Sequence, residues 1–124
     1  MSKPANAKLW IKLTLPGAGQ VGPGKVELLR NIGKQRSIAA AARAMGMSYR
    51  RAWLLVDEMN QLFNKPVVAK WHGGKEKGGA SLTALGEELI KDYDAVVECS
   101  SAVNAVLLGQ IGRRASRTVR QKKA

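Results

Sequence analysis

The sequence predicts a mainly helical, α+β chain. Short amphipathic helices fill residues 23–63, two strand-like segments flank a Gly/Lys-rich tip at 66–82, and a long helix follows. With 124 residues, 45% of them hydrophobic, the chain has material for one compact core.

The elements follow from local chemistry. Leu9 to Leu15 alternates apolar and polar residues and reads as a strand. Pro16 to Gly24 reads as a Gly/Pro-rich loop, and Pro23 suits the first position of a helix, where its missing N–H has no partner to lose. Val26, Leu29 and Ile32, with Leu28 beside them, form the apolar face of that helix, and Gly33 is its expected stop. Ser37 is the expected N-cap of a short Ala-rich helix, Ile38 to Met45; Gly46-Met47 breaks it. Ser48 caps the next helix, Tyr49 to about Phe63, with Ala52, Leu55, Val56, Met59 and Leu62 on its apolar face. Trp53 is expected in the core, and Tyr49 either on a neighbouring helix or against nucleic acid. Pro66 to Trp71 and Ala80 to Leu82 read as the arms of a hairpin with its tip at 73–79. Thr83 then caps a helix running to about Leu108, roughly 37 Å long. Its stripe Leu89, Tyr93, Val96, Ser100, Val103, Leu107 has heptad spacing and suggests pairing with a second copy.

Three helices closed by a hairpin make a winged helix-turn-helix. The expected organisation is a flexible N-terminus (1–8), the winged domain (9–82), a dimerisation helix (83–109) and a basic, disordered tail (110–124).

Charge points to the partner. The chain carries 21 Lys+Arg against 9 Asp+Glu, a net charge of +12, which favours a polyanion and most simply nucleic acid. From Lys25 to Arg51 there are seven cations and one acid, Glu27, whereas Thr83 to Leu108 holds five acids and one lysine. The last twelve residues add six cations and no acid, enough for nonspecific attraction to phosphate.

In a helix-turn-helix the second helix enters the major groove and presents its N-terminal residues to base edges. Here those are Ser48, Tyr49, Arg50 and Arg51. An arginine bonds the O6 and N7 of guanine together, a fit worth ~1–3 kcal/mol of discrimination. Ser37 and Ser48, at helix starts, are placed to meet phosphates, and Arg43 adds a cation on the preceding helix. Lys75 and Lys77 on the wing tip are placed for the backbone or minor groove. Ala42 is small where the helices cross, and Gly46 supplies the positive φ of the turn.

The run Ser37-Ile-Ala-Ala-Ala-Ala-Arg-Ala-Met-Gly-Met-Ser-Tyr-Arg-Arg-Ala-Trp, continuing to Asn60, closely resembles the N-terminal domain of ModE-type molybdate-responsive regulators, themselves similar to LysR-type winged helices. Gly78-Gly-Ala-Ser-Leu-Thr-Ala-Leu-Gly86 resembles that family's wing and its entry into the linker helix. The resemblance spans about Leu9 to Leu108. It implies a homodimer, joined through the N-terminal region and helix 83–108, on a palindromic operator. Arg36 stands where a glycine is common. The family's C-terminal molybdate-binding module has no counterpart in these residues, so oxyanion sensing is not carried over.

Other chemistries fit poorly. Gly17-Ala-Gly-Gln-Val-Gly22 matches the dinucleotide fingerprint, but no acid lies between Glu27 and Asp57 to hold a ribose. The wing lacks the Lys-Ser/Thr of a phosphate-binding loop. One His and one Cys leave little for a metal site; His72 is expected to be solvated and Cys99 to be a buried structural thiol. No cofactor, metal or catalytic set is expected, and no apolar run reaches the ~18 residues of a membrane span. The expectation is a cytoplasmic, nucleoid-associated, sequence-specific regulator that binds double-stranded DNA. The alternatives are an architectural DNA binder and a winged module that docks a protein.

Overall fold

A computed structural model describes residues 7–17, 19–71 and 79–115 of the chain. It divides into two compact units, Trp10–Ala95 and the residues on either side of that span.

The first unit runs β1 (Leu13–Thr14), β2 (Gln20–Val21), α1 (Pro23–Gln35), α2 (Ile38–Ala44), α3 (Tyr49–Leu62), β3 (Val68–Trp71), β4 (Gly79–Leu82) and the start of α4 (Ala84–Val103). The strand expected over Leu9–Leu15 pairs only at Leu13–Thr14, antiparallel to Gln20–Val21. What reads as a loop after Pro16 is therefore the turn of a small hairpin, closed by Leu15 N–H donating to the Gly19 carbonyl at 2.8 Å. Gly19 lies against α3, where a Cβ would run into the Leu62 side chain.

Helix α1 starts at Pro23 as its sequence dictates, but Gly33 does not stop it. The helix continues to Gln35, and Arg36 ends it in the left-handed region (φ 58°, ψ 30°), its N–H bonded to Ile32 O. That conformation costs a non-glycine residue ~1 kcal/mol. The turn it makes lets Arg36 O accept from Ala80 N at 3.2 Å, tying α1 to β4. The absent side chain of Gly33 serves packing instead: a Cβ there would meet Leu82 Cδ1 at 2.9 Å.

Helices α2 and α3 start where local signals place them. The Ser37 hydroxyl accepts from Ala40 N at 3.0 Å and the Ser48 hydroxyl from Arg51 N at 3.1 Å, each capping its helix. Gly46 takes φ +68° in the turn between them. The core joins Leu28, Leu29 and Ile32 of α1, Ile38, Ala41 and Ala42 of α2, and Ala52, Val56 and Met59 of α3 to Val67, Val68 and Ala80 at the hairpin base. Each large aliphatic side chain buried there contributes ~1.5–3 kcal/mol. Trp53 and Leu55 pack at its edge.

Strands β3 and β4 are antiparallel, with Val68 opposite Leu82 and Trp71 opposite Gly79. Two polar side chains fix this hairpin on the helices. Asn60 accepts from Val67 N (2.8 Å) and Val68 N (3.0 Å) and donates to Val68 O (3.1 Å). Thr83 donates to Pro66 O at 2.8 Å and accepts from Gly86 N at 3.1 Å, capping α4. Gly86 has no Cβ because the Val67 carbonyl occupies that space. Farther along α4, Leu89 and Ile90 reach the core, Tyr93 donates to Ile11 O at 2.6 Å, and Asp94 takes both terminal nitrogens of Arg30 at 2.7 Å.

In the second unit the long helix is not continuous. It ends at Val103, Asn104 leaves helical geometry (φ −102°, ψ 18°), and α5 spans Ala105–Arg114. The Asn104 amide donates to Ser100 O at 2.9 Å, which its own backbone N–H also uses; an asparagine side chain competes with the helix in this way. Gln110–Arg114, expected in a disordered tail, is helical, and Arg113 and Arg114 in its last turn suit the negative end of the dipole. Residues 116–124 lie outside the described residues. So do 1–6 of the expected flexible N-terminus, whereas Ala7 N donates to Leu108 O at 3.1 Å. Cys99, expected to be buried, is exposed beyond Tyr93, the last buried residue of α4. Among the described residues no single helix is long and apolar enough to cross a membrane.

Candidate nucleic-acid interface

Helix α3 has a buried face and a free face. Ala52, Val56 and Met59 are fully buried. Arg50, Arg51 and Leu54, on the opposite side, are exposed. The Ser48 cap sets the start of the helix, so that Tyr49, Arg50 and Arg51 leave from its first turn in a fixed order.

The cations sort into two groups. Lys25 binds Glu58 at 2.8 Å, Lys70 binds Asp57 at 2.8 Å, and Arg30 binds Asp94 and Glu27. These hold elements together. The Asp94 hydrogen bonds raise the Arg30 guanidinium well above its ordinary range, and Arg30 in turn holds the Asp94 carboxyl below the usual carboxylate range. Burial, then the neighbouring Asp94, pushes the Tyr93 hydroxyl up. No ion pair among the described residues involves Arg43, Arg50 or Arg51, and all three side chains are exposed. Arg43, Arg50 and Arg51 thus stay free on α2 and α3, as do Lys34 and Arg36 just before them and, elsewhere among the described residues, Lys8, Lys12, Lys65, Lys91, Arg113 and Arg114.

The remaining candidate residues divide as follows. Ser37 and Ser48 both use their hydroxyl oxygens as caps, Ser37 half-buried and Ser48 exposed. Tyr49 is 53% exposed and meets Trp53 edge-on at 6.3 Å, so it packs on its own helix while leaving a free edge. Lys70 Nζ sits 4.0 Å above the Trp53 ring, which fixes β3 beside α3. Lys75 and Lys77 lie outside the described residues, as does His72.

A groove of about 320 Å³ beside α3 is lined by Trp10, Lys12, Gln20, Met47 and Arg51 among others. Trp10 is 81% exposed and also borders a second hollow of about 470 Å³, against Pro23, Val26, Met45 and Tyr93. Among the described residues no group of three or more His, Cys, Asp or Glu side chains could hold a metal ion.

Sequence reasoning missed Leu54, Asn60 and the lysine partners of Asp57 and Glu58. Leu54 was detectable, because it falls out of phase with Ala52, Val56 and Met59. The lysine pairings join residues far apart in the chain and leave no local signal.

No protein-family model matches the chain. It is 36% identical over 101 residues to the DNA-binding transcriptional dual regulator ModE of Escherichia coli (strain K12), covering 82% of this chain and 38% of ModE. The chain is homologous to the ModE regulators. It is also 49% identical over 77 residues to the molybdenum-pterin-binding protein MopB of Rhodobacter capsulatus, covering 62% of this chain and 28% of MopB. MopA of the same organism, another molybdenum-pterin-binding protein, matches at 35% over 101 residues, 82% of this chain and 38% of MopA. The chain thus spans little more than a third of these relatives at most.

Proposed function

We propose that the chain is a homodimeric, sequence-specific DNA-binding transcriptional regulator with no catalytic role, working in the cytoplasm on the nucleoid. The observation that carries this reading is the free face of α3, where Arg50 and Arg51 stand exposed and unpaired by any described acid at the capped start of a helix braced by the β3–β4 hairpin. Helix α3 enters the major groove, Arg50 reads a guanine, and Ser37, Arg43 and Ser48 contact phosphates. The tip at 73–79, with Lys75 and Lys77, reaches the backbone or minor groove. The transcriptional role of the ModE relatives supports the assignment.

A second copy covers the apolar residues left over in the second unit: Val103, Val106, Leu107 and Ile111 are 82%, 72%, 57% and 54% exposed. Exposed apolar clusters of this kind mark association surfaces. In the first unit Trp10 is 81% exposed, a separate candidate for pairing through the N-terminal region. The charge of +12 also favours a second reading, an architectural DNA binder of low specificity.

Mutants separate the two. Arg50→Ala should weaken binding to an enriched site by about tenfold or more while changing random-duplex binding little, and Lys75→Ala should weaken both alike. Equal losses for Arg50→Ala on both duplexes would overturn its base-reading role and favour the architectural reading.

A further inference from the structure

We propose that Leu54 reads thymine, by placing its side chain against the 5-methyl group of a thymine in the major groove. The inference rests on the reading of α3 as the DNA-contacting helix and names one base it selects.

Leu54 is the odd residue of this helix. Its neighbours at two positions either side, Ala52 and Val56, are fully buried, so Leu54 is turned about half a revolution away from them. It is 59% exposed and takes no part in the core. One helical turn before it stand Arg50 and Arg51, and one turn after it Asp57 and Glu58. A leucine at the centre of a free, charged face contributes nothing to folding there. It does offer an apolar surface flanked by the two arginines.

The acids decide which base that surface suits. Cytosine presents an amino donor in the major groove, and Asp or Glu accepts from it; thymine presents a carbonyl and a methyl group. Asp57 is held by Lys70, whose ammonium also lies over the Trp53 ring. Glu58 is held by Lys25, which also donates to Gln20 O at 2.7 Å. Both carboxylates are thus engaged from neighbouring elements, and their repulsion of phosphate is offset. Leu54 thus stands between two free arginines and two neutralised ion pairs, an apolar surface matched to thymine beside guanine. Leu54 lies four residues, ~6 Å, along the helix from Arg50, so the thymine falls within about two base pairs of the guanine Arg50 reads.

The test uses the full chain and a random duplex library enriched at about 150 mM salt. In the enriched site each thymine is replaced singly by deoxyuridine, which removes only the methyl group, and binding is followed by fluorescence anisotropy. One thymine per half-site should respond, with affinity falling about fourfold in the wild type. Leu54→Ala should bind the thymine and deoxyuridine duplexes equally. At that same position, 5-methylcytosine should be bound better than cytosine by the wild type alone. Thermal melting of Leu54→Ala should match the wild type, since the side chain is outside the core. An enriched site whose thymines all tolerate deoxyuridine, or whose methyl preference survives in Leu54→Ala, overturns the assignment and leaves site-specific binding standing. A library that yields no enriched sequence overturns site-specific binding itself, and the thymine contact with it.

Discussion

Replacing Asn60 by alanine removes three hydrogen bonds at once and leaves two buried amides without partners. Val67 and Val68 are 0% and 1% exposed, and their N–H groups both donate to Asn60 Oδ1, at 2.8 and 3.0 Å. An unsatisfied buried amide costs about 1–3 kcal/mol. Water can enter the space vacated beside a half-buried residue, so the lower half of that range applies to each, giving about 2–4 kcal/mol in total. For a chain of this size that corresponds to a fall in melting temperature of roughly 8–16 °C. Asn60→Asp keeps the acceptor for both amides but sets a carboxylate oxygen against the Val68 carbonyl where the amide donated, so it should cost about 1–3 kcal/mol. Melting followed by far-UV circular dichroism ranks the three proteins. A fall of less than about 3 °C in Asn60→Ala would refute the claim that this side chain clamps β3 to α3.

The other outcomes rest on packing and charge. Gly86→Ala sets a Cβ against the backbone carbonyl of Val67, which cannot rotate away, so α4 must shift; a loss of about 2 kcal/mol or more is expected in denaturant unfolding, against less than 1 kcal/mol at exposed Gly24, where a Cβ meets nothing within 4 Å. Asp94, whose carboxyl Arg30 holds below its ordinary value, should stabilise the fold above pH ~4 and lose that contribution as pH falls through its lowered folded value. Both partners are part-exposed, so solvent screening limits the effect to about 1 kcal/mol. Asp94→Asn should therefore melt lower at pH 7 and show a shallower decline below pH 4. Tyr93, raised chiefly by burial, works in the opposite direction: its contribution is present below pH ~10 and is lost as pH rises through its folded value, so Tyr93→Phe should flatten the alkaline limb.

The parts legible in the sequence are those decided within a few residues. A serine hydroxyl caps the amide three positions on, so Ser37 and Ser48 mark two helix starts without any tertiary information. The positive φ of Gly46 is likewise a matter of its own turn. Gly33 and Gly86 are different: their lack of a side chain answers to Leu82 and Val67, and sequence alone offers no reason to connect them. The same holds for Lys25 with Glu58, whose pairing converts an apparently basic segment into a structural contact. The heptad stripe misleads in part, because Leu89 and Tyr93 are spent on this chain's own first unit while Val103 and Leu107 stay exposed. Asn104, in the middle of an apolar period, breaks the helix through one side-chain hydrogen bond that hydropathy does not register. Among the residues proposed to meet DNA, Arg50 and Arg51 follow from the motif, whereas the weight of Leu54 emerges only when both neighbouring acids are seen to be engaged.

The central claim is that the free face of α3 selects a DNA sequence rather than merely attracting phosphate. Its most direct test is capture of sheared genomic DNA from the source organism by the purified full chain at about 150 mM salt, where phosphate-only contacts are already much weakened. Recovered fragments should share an inverted repeat whose half-sites are separated by about one helical turn, with guanine and thymine close together in each. Uniform recovery with no shared motif would contradict that account.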